Sequence, residues 1–542
     1  MPEPGKLKEA LSNGSIRSNA TKAPTFEEVL KEVGEFGFFQ MRLFSILTLM
    51  DLGTGQCMMF FVFANANPGW ECVRYHGYGN VSFLLFSDNG TSSENRTAGG
   101  CNLLRDECEE VNFSGQFSSI VSEFGLICGL SYVPKLAVSI QMLGVLLGAL
   151  LTGQLADLFG RKKTLLAVAS GMMFIQAAVS LSCSWQVYIF TRFLACVCLG
   201  GTMCLITTMP MEFIGPKWRT FCGSLSLFVL GLILQCLWAY VLGDWRYQAL
   251  VSGLSTTPLL LCIIIWVPES VRWLIQKGRF AEAEAIMKRI AVCNGKEVPD
   301  LTILKAIALR DNQENSRRHR YSYLDLFRGK QVASRTVVLL FTWFTCSTIF
   351  YGISTQYGSL SGNFYINTLI SPMLALPFAW TVILTGLRFG RRWSFVGYMV
   401  IPSTCMCIVL VFISTGLDED HPNLTRALVL IGKGAVNACW MLAAIYSSEL
   451  YPTLMRNIGM GACSMFARVA GAVTPQISYL GMMYHRSIPY AVYTILAVTS
   501  AVLVFTFLPE TKDKPLPEST ALPIEGEAER ATETIGTAEE QL

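Results

Sequence analysis

Long stretches without a charged side chain are the feature that most restricts how this chain of 542 residues can fold. About 18 consecutive apolar residues are enough for a helix to cross the hydrocarbon core of a bilayer. Because the composition is 52% hydrophobic and only 15% charged, a single soluble core could not bury this much apolar surface. The sequence therefore predicts a protein embedded in a lipid bilayer.

Twelve apolar segments have the length of a membrane-spanning helix. An uncharged run over 336–387 divides into two at the polar, glycine-rich segment 355–363. Three further segments each contain one charged residue: Asp51 in 43–65, Lys433 in 427–448 and Arg468 in 457–485. Seven more contain none, and these are 136–156, 164–182, 193–211, 221–243, 247–267, 393–417 and 487–508. The predicted fold is an all-α membrane protein with twelve transmembrane helices.

Basic residues concentrate in the connections after the second, fourth and eighth segments, around Arg161, Arg219 and Arg391. Short loops rich in lysine and arginine stay in the cytoplasm, so these connections and both termini are predicted to be cytoplasmic. The predicted units are a cytoplasmic N-terminus (1–41), a six-helix half (42–267) with an extracellular loop (65–132), a cytoplasmic linker with amphipathic helices (268–335), a second six-helix half (336–508) and a disordered cytoplasmic tail (509–542).

The predicted extracellular loop supports this orientation, because N-glycosylation sequons are used only outside the cytoplasm. Four sequons lie in this loop and a fifth follows the ninth segment, also predicted to be outside: Asn80, Asn89, Asn95, Asn112 and Asn423. The loop also holds an even number of cysteines, which indicates two disulfides in an oxidising compartment and leaves their pairing open. These cysteines are Cys72, Cys101, Cys108 and Cys128.

An approximate repeat relates the two halves. GQLADLFGRKKTL at 153–165 is followed by a second, changed copy, TGLRFGRRWSF, at 385–395. Glu212 precedes Arg219 by the spacing with which Glu449 precedes Arg456, and Pro-Glu-Ser at 268–270 has a counterpart in Pro-Glu-Thr at 509–511. Two six-helix halves in parallel repeat place a substrate site between them, near the membrane midplane.

The repeated charges are candidate gate residues: Asp157, Arg161, Glu212, Arg219, Glu449 and Arg456. Asp157 and Arg161, with Glu212 and Glu449 on neighbouring loops, could pair across the cytoplasmic interface when the inner side is closed and separate when it opens. The alternative is that these charges only anchor helix ends at the lipid headgroups. The second copy of the repeat lacks the aspartate, which predicts a weaker C-terminal gate.

Several motifs together resemble the solute carrier 22 family of polyspecific organic ion transporters, within the major facilitator superfamily. In chain order they are EVGEFGFFQ (32–40), SSIVSEFGLIC (118–128), GQLADLFGRKK (153–163), PESVRWLIQKGRFAEAEAI (268–286) and SSELYPTLMRNIGMG (447–461). The resemblance covers about residues 26–515. It implies alternating-access transport of small organic ions across the plasma membrane. It implies no cofactor, leaves coupling to sodium, protons or a counter-substrate open, and indicates no obligate protein partner.

Arg468 bears on the charge of the substrate. It resembles family members that carry anions or the zwitterion carnitine, whereas cation carriers have an aspartate there. Its guanidinium could clamp a carboxylate with two hydrogen bonds, or it could pair with Asp51 or with backbone carbonyls. Ala375 stands where cation carriers resemble each other in having a glutamate, and Ala379 corresponds to the nearby lysine of anion carriers. A substrate with one carboxylate fits best, an organic anion or a zwitterion such as carnitine, with organic cation transport as the alternative.

Lys433 and Asp51 each leave two roles open. Lys433 could give the cavity a positive potential, or it could be a structural switch that pairs with Glu449 or Asp51, since its glycine neighbours favour close helix contact. Asp51 could bind the cationic end of a zwitterion or a coupling cation, or it could form a plain hydrogen bond between helices. An ionisable residue inside a span most often faces a cavity.

Aromatic residues are the remaining cavity candidates: Trp343, Phe350, Tyr351, Trp440 and Tyr446. Trp343 and Phe350 are seven residues apart and so share a helix face. In the resemblance these positions correspond to hydrophobic walls of the binding site, which suit varied substrates. Ordinary packing is the alternative for each of them.

Other classes of function fit less well. The four histidines are scattered without metal-ligand spacing, and no phosphate-binding loop is present, so we predict neither an enzyme nor a metal site. Nucleic-acid binding is excluded by the architecture. A non-transporting receptor or sensor on the same fold is the more serious alternative, but the retained gate residues favour transport.

Overall fold

The computed structural model describes residues 26–75, 79–80, 108–113, 117–215, 217–219, 222, 226–299, 304–305, 322–452 and 455–512. The N-terminal half contains α1 (Phe26–Glu32), α2 (Phe38–Ala64), α3 (Ile120–Glu123), α4 (Val133–Phe159), α5 (Arg161–Ala178), α6 (Trp185–Met211), α7 (Phe228–Leu242), α8 (Trp245–Leu254) and α9 (Thr257–Trp266). Two connecting helices, α10 (Val271–Gln276) and α11 (Phe280–Cys293), follow. The C-terminal half contains α12 (Lys330–Ser354), α13 (Phe364–Arg388), α14 (Arg391–Thr415), α15 (Leu417–Asp420), α16 (Pro422–Leu450), α17 (Arg456–Met483) and α18 (Ile488–Phe507).

Ten helical segments in the described part of the chain are long and apolar enough to cross a membrane, which confirms a helical membrane protein. Two of the predicted segments are not among the ten. Helix α7 covers 15 residues and begins at Phe228, later than the predicted start at 221. Helix α17 is 28 residues long but includes Arg456, Arg468 and many small or polar residues. The count of twelve spans therefore stays a prediction.

Close backbone contacts set the positions of the helices around the centre of the molecule. A Cβ atom at Gly148 of α4 would lie only 1.9 Å from the carbonyl oxygen of Val197 in α6. A Cβ atom at Gly231 of α7 would lie 2.4 Å from the carbonyl oxygen of Leu52 in α2. Lipid chains are as apolar as the side chains, so close packing of small residues is a main source of helix association in membranes.

The halves pack against each other through α4 with α17 and α7 with α13. We call the end of the bundle that carries Arg161 and Arg391 the basic end. At the other end, Lys135 Nζ of the N-terminal half donates to the Thr355 carbonyl oxygen of the C-terminal half over 3.3 Å. Five aromatic rings from both halves also meet there: Phe63, Phe117, Tyr240, Phe364 and Tyr365. Among the described residues, no hydrogen bond or ion pair joins the halves at the basic end.

A three-stranded antiparallel sheet, absent from the all-α prediction, lies within the predicted extracellular loop. Strand β1 (Trp70–Tyr75) pairs with β2 (Gly79–Asn80) and with β3 (Cys108–Phe113). The strands carry several β-branched and aromatic residues, which fit a pleated backbone. The apolar segments used for the prediction gave no signal for these short strands.

The predicted glycosylation and disulfide residues are described only in part. Asn80 lies in β2, Asn112 is exposed in β3, and Asn423 is exposed in the first turn of α16. Cys128 is disulfide-bonded, and only the backbone of Cys72 and Cys108 is described. Asn89, Asn95 and Cys101 lie outside the described residues. Glycosylation and the pairing of the disulfides therefore stay predictions.

The connection between the halves begins with the predicted amphipathic helix. Helix α11 buries Ala283, Met287 and Ile290 on one face. The residue after its end, Asn294, donates from Nδ2 to the Val33 carbonyl oxygen over 2.9 Å and accepts from the Phe39 amide over 3.0 Å. The first part of the connection is therefore attached to the start of α2.

Candidate substrate cavity and charge clusters

A cavity lies between the two halves near the middle of the bundle. Its volume of about 30 Å³ holds about one water molecule, so an organic ion would enter only after the halves move apart. The N-terminal half contributes Met59, Phe228, Val229 and Leu232, and the C-terminal half contributes Phe350, Ser371, Pro372, Ala375, Lys433 and Asn437. The lining is apolar except for two polar residues and one cation.

Lys433 is the basic residue that lines this cavity. Its side chain is 3% exposed, and its Nζ donates to Ser354 Oγ over 2.6 Å and to the Tyr357 hydroxyl. The ammonium group also lies 4.5 Å from the centres of the Phe350 and Tyr357 rings, which are favourable cation–π contacts. In the described structure its partners are all uncharged, and it pairs with neither Glu449 nor Asp51. The sequence did not predict Tyr357 and Ser354 as partners of Lys433, because neither is a charged residue within a span and neither belongs to a periodic pattern.

Four of the five predicted aromatic residues form one cluster beside the cavity. The Phe350 ring lies 5.3 Å from Tyr351 and 5.8 Å from Trp440, and Trp440 lies 6.2 Å from Trp343. Phe350 reaches the cavity itself. Tyr446 does not belong to this cluster: its hydroxyl donates to the carbonyl oxygen of Pro509 at the basic end. Tyr446 lies farther along α16 and does not line the cavity in this conformation, so its contact with substrate stays a prediction.

Arg468 lies next to the aromatic cluster and is not a lining residue of the cavity. Its Nη1 donates to the Tyr351 hydroxyl over 3.2 Å, and its side chain is partly exposed. No carboxylate of the described residues pairs with it, so the predicted alternative of an Arg468–Asp51 pair is not realised in this conformation. It is a second cation, separated from the cavity by Tyr351 and Phe350.

Asp51 is buried within the N-terminal half. It is 9% exposed, and its carboxylate accepts from Ser226 Oγ over 2.6 Å and from Thr54 Oγ1 over 3.1 Å. Since Ser226 precedes α7, the bond joins α2 to the segment before α7 and is not a bond between two helices. The other predicted roles of Asp51 are not tested by this arrangement.

At the basic end of the N-terminal half, the predicted gate residues form a charge cluster. The Arg161 guanidinium contacts Asp157, and its Nε donates to Glu212 Oε1 over 3.2 Å. Glu269 accepts from the Lys162 amide over 2.9 Å, next to Gly160, whose φ of 108° is a conformation that favours glycine. The first turn of α5 is therefore held by a carboxylate from the connection after α9. Glu212 Oε2 is buried and has no hydrogen-bond partner in the described structure.

The C-terminal half contains an equivalent cluster around Arg391, which was not among the predicted gate residues. Arg391 Nη2 lies 3.0 Å from Glu449 Oε1, and Thr511 Oγ1 donates to Glu449 Oε2 over 2.6 Å. Glu510 accepts from the Arg391 and Arg392 amides over 2.8 and 3.2 Å. Burial opposes ionisation of Glu510, but these and two further backbone amides lower the pKa of its carboxyl below the usual range. Glu449 thus pairs within its own half, and no cross-half pair forms here.

The two remaining gate candidates have other surroundings. Arg219 does not contact Glu212: its Nη2 donates to Glu27 of α1 over 2.9 Å, and Glu27 also contacts Arg272 of α10. Arg456 has buried Nε and Nη2 atoms without a hydrogen-bond partner among the described residues. Arg219 therefore pairs with a segment that the repeat does not include, and the gate roles of both arginines stay predictions.

A cavity between two helical halves that share a sequence repeat is typical of a membrane transporter of the major facilitator superfamily. Residues 89–522 match the sugar (and other) transporter family, and the chain belongs to it. Within this superfamily the chain is a solute carrier 22 family protein. It is 32% identical over 505 residues to solute carrier family 22 member 15 of Xenopus tropicalis, a match that covers 91% of this chain and 90% of that protein.

The chain is also similar to further relatives and to solved structures. The chain is 29% identical to solute carrier family 22 member 13 of Homo sapiens, with 91% and 92% of the chains covered, and 29% identical to the organic cation transporter protein of Drosophila melanogaster, with 91% and 92% covered. The partially occluded inward open xylose transporter XylE from E. coli has a TM-score of 0.58 at 18% identity over 88% of this chain and 100% of that one. The human organic anion transporter MFSD10 has a TM-score of 0.51 at 16% identity, with 86% and 99% covered. These structures establish the shared fold.

Proposed function

We propose that this chain is a plasma-membrane transporter of small organic anions that works by alternating access, and that it also accepts carboxylate-bearing zwitterions such as carnitine. The observation that carries the proposal is the surroundings of Lys433. This ammonium group faces the cavity between the halves, and its partners in the described structure are hydroxyls and ring faces. Its positive charge is therefore left for a ligand to neutralise.

The energetics favour a carboxylate beside Lys433. At about 4 Å and an intermediate effective dielectric constant, opposite unit charges attract by up to about 4 kcal/mol. The net gain is smaller, because both ions lose hydration on entering the cavity. The cavity lining contains no acidic residue, so a cation without a carboxylate would meet Lys433 with no compensating charge.

The aromatic cluster supports a broad range of substrates. Ring faces and apolar walls hold varied molecular shapes, because stacking and apolar contact require no fixed donor or acceptor pattern. Arg468, held by Tyr351, adds a second positive charge that a substrate would approach once the halves separate. A monocarboxylate with an apolar or aromatic body fits this arrangement.

Organic cation transport is the alternative, since a Drosophila relative is named an organic cation transporter protein. The lack of an acid in the cavity lining argues against it. A non-transporting receptor on the same fold is the alternative from another class, and it would bind such ligands without moving them. The groups that could close the basic end argue for movement.

We take the basic end to be the cytoplasmic end. Two side chains there with unpaired polar atoms are the basis for proposing a gate. Glu212 Oε2 in the N-terminal half and the Nε and Nη2 atoms of Arg456 in the C-terminal half are buried without hydrogen-bond partners in the described part of the chain. A buried polar group without a partner costs free energy. We expect closure of this end to bring the carboxylate and the guanidinium together, which stabilises the outward-facing state.

Uptake measurements in a heterologous cell test the substrate class. The probes are an aromatic monocarboxylate, carnitine, and a quaternary ammonium compound without a carboxylate, each measured for the wild type and Lys433→Gln. We expect the wild type to take up the monocarboxylate best, and Lys433→Gln to reduce that uptake about tenfold or more, equivalent to about 1.4 kcal/mol. Lys433→Arg should retain part of it, because the charge remains.

The matched control is Lys330→Gln, which removes the same charge from an exposed position at the start of α12. Its uptake should equal that of the wild type, and surface biotinylation corrects for expression. Preferred uptake of the quaternary ammonium compound would overturn the proposed substrate class. Binding of the monocarboxylate without uptake would favour the receptor.

A further inference from the structure

We propose that Asp51 is a proton-binding site of this protein, located on the helix face that continues from the substrate cavity. Its coupling to transport rests on the proposed function, whereas proton binding itself can be measured without any substrate.

The position of Asp51 connects it to the cavity. Helix α2 has 27 residues with Asp51 at its centre, which places the carboxyl about 20 Å from either end of the helix. Asp51, Gly55 and Met59 are spaced by four residues and therefore share one face, and Met59 lines the cavity. A carboxyl group at this depth is costly in its ionised form unless a partner or water compensates its charge.

The hydrogen-bond partners of Asp51 suit both the charged and the neutral carboxyl. Ser226 Oγ lies 2.6 Å from Oδ2 and also accepts from the Phe228 amide over 3.2 Å. Thr54 Oγ1 lies 3.1 Å from Oδ1 and 2.9 Å from the Asp51 carbonyl oxygen. Both hydroxyls can donate to a carboxylate. After protonation, Ser226 Oγ can accept from the carboxyl and Thr54 can donate to the carbonyl oxygen alone. The same atoms therefore satisfy both states.

No cation compensates Asp51 in the described structure. Helices α6, α7, α8, α9 and α11 pack against α2. Arg192 of α6 is bound by Gln141 and Gln176, and Arg246 of α8 pairs with Glu123 at the other end of the bundle. None of the other titratable groups on these helices is hydrogen-bonded to Asp51, and these groups are Tyr188, Cys196, Cys198, Cys204, Cys236, Tyr240, Tyr247, Cys262, Glu282, Glu284, Lys288, Arg289 and Cys293. A carboxyl that lacks a fixed countercharge is the kind of group that a proton neutralises.

Access to Asp51 comes from the side of Ser226, which is exposed and stands before the first turn of α7. A proton would reach the carboxyl through this exposed hydroxyl. The step is a simple equilibrium: the carboxylate takes one proton from water to become the neutral acid, and it returns that proton to water. Cotransport of this proton with an organic anion would reduce the net charge moved across the membrane.

Infrared difference spectroscopy of the purified full-length protein, compared between acidic and alkaline buffer, tests proton binding directly. We expect a carbonyl band of a neutral carboxylic acid in acid that disappears in alkali, is absent in Asp51→Asn, and persists at a shifted position in Asp51→Glu. Asp325→Asn is the matched control, because Asp325 is also buried but pairs with Arg328 at 2.8 Å; its spectrum should retain the Asp51 band. Identical difference spectra for the wild type and Asp51→Asn would overturn the proposal.

Uptake of the aromatic monocarboxylate at different external pH then tests coupling. Acidification should increase wild-type uptake, and this dependence should be lost in Asp51→Asn and kept in Asp51→Glu. A sodium requirement that disappears in Asp51→Asn, found by replacing sodium with N-methylglucamine, would overturn the proton assignment in favour of a sodium site. If no probe is taken up by the wild type, the proposed function fails, while the infrared result still decides whether Asp51 binds a proton.

Discussion

The charge clusters at the basic end occupy equivalent positions in the two halves but are completed differently. In the C-terminal half, Arg391 holds one oxygen of Glu449 and Thr511 holds the other. In the N-terminal half, Arg161 holds one oxygen of Glu212, while the second oxygen has no partner among the described residues. The complete cluster stabilises its own half, whereas the incomplete one can still gain a partner. We infer that the N-terminal cluster is the one that responds to closure.

The missing aspartate of the second repeat also has a replacement. Where Arg161 contacts Asp157, Arg391 Nη1 donates to the backbone carbonyl of Gly386 over 3.0 Å. The predicted weakness of the C-terminal gate remains untested, but a carbonyl oxygen supplies the acceptor that the side chain does not. A carbonyl cannot be lost by substitution or neutralised by a proton, so this half keeps its arginine in place.

Of the tests of this comparison, exchanging the charges of Glu212 and Arg456 should change the measured property most, and that property is uptake. Glu212→Arg and Arg456→Glu should each lower uptake strongly, because like charges would meet at closure. The double variant should recover part of the loss, with a coupling of about 1–3 kcal/mol, typical of linked conformational states. The measurement is uptake normalised to surface expression, together with cysteine labelling at the basic end. If the double variant is as inactive as the sum of the single losses predicts, these two residues do not pair.

Removing the Thr511 hydroxyl should make the C-terminal cluster resemble the N-terminal one. Thr511→Val leaves Glu449 Oε2 without its donor, which should lower the stability of the detergent-purified protein by about 1 kcal/mol. Thermal unfolding measures this, and Thr506→Val is the control, because its hydroxyl bonds only to backbone carbonyls of α18. Equal melting temperatures for the two variants would show that the hydroxyl does not support the cluster.

The smallest expected effect is a change in stability on acidification, caused by protonation of Glu510. Because the folded-state pKa of Glu510 is lowered from 4.5, its stabilisation is complete above that ordinary value and is lost as pH falls through the lower folded pKa. Glu510→Gln should therefore melt below the wild type at neutral pH, and the difference should shrink in acid. A difference that grows in acid would contradict the assignment of backbone amides as the cause.

The sequence was sufficient to predict the helical membrane fold, the repeat and the placement of charges at the basic end, because these depend on apolar run length and on motif spacing. It was also sufficient to select Lys433, Trp343, Phe350, Tyr351 and Trp440 as candidates, whose substrate contacts stay predictions. All of these residues occur on long helices, where periodicity fixes which side chains share a face.

Partners from irregular segments were beyond the sequence prediction. Thr511 and Glu510 follow α18 without any helical period, and their bonds to Glu449 and Arg391 depend on how the chain turns back after the helix. Glu27 belongs to a short helix before α2, so its contact with Arg219 has no counterpart in the repeat. The bond of Tyr446 to Pro509 was also beyond the prediction, because a single aromatic residue on α16 carries no information about its depth along the cavity.

The attachment of Asn294 to the start of α2 has a mechanical consequence for the two halves. Asn294 is attached to the N-terminal half, and residues 295–329, which are 35 residues, connect it to the start of α12. At about 3.3 Å per residue such a segment reaches roughly 115 Å when extended, much farther than the width of a helical bundle. Its length therefore sets no limit on how far the halves can rock. The range of the movement is decided where they touch, by the contacts at the end opposite the basic clusters and by any pairs that form at the basic end.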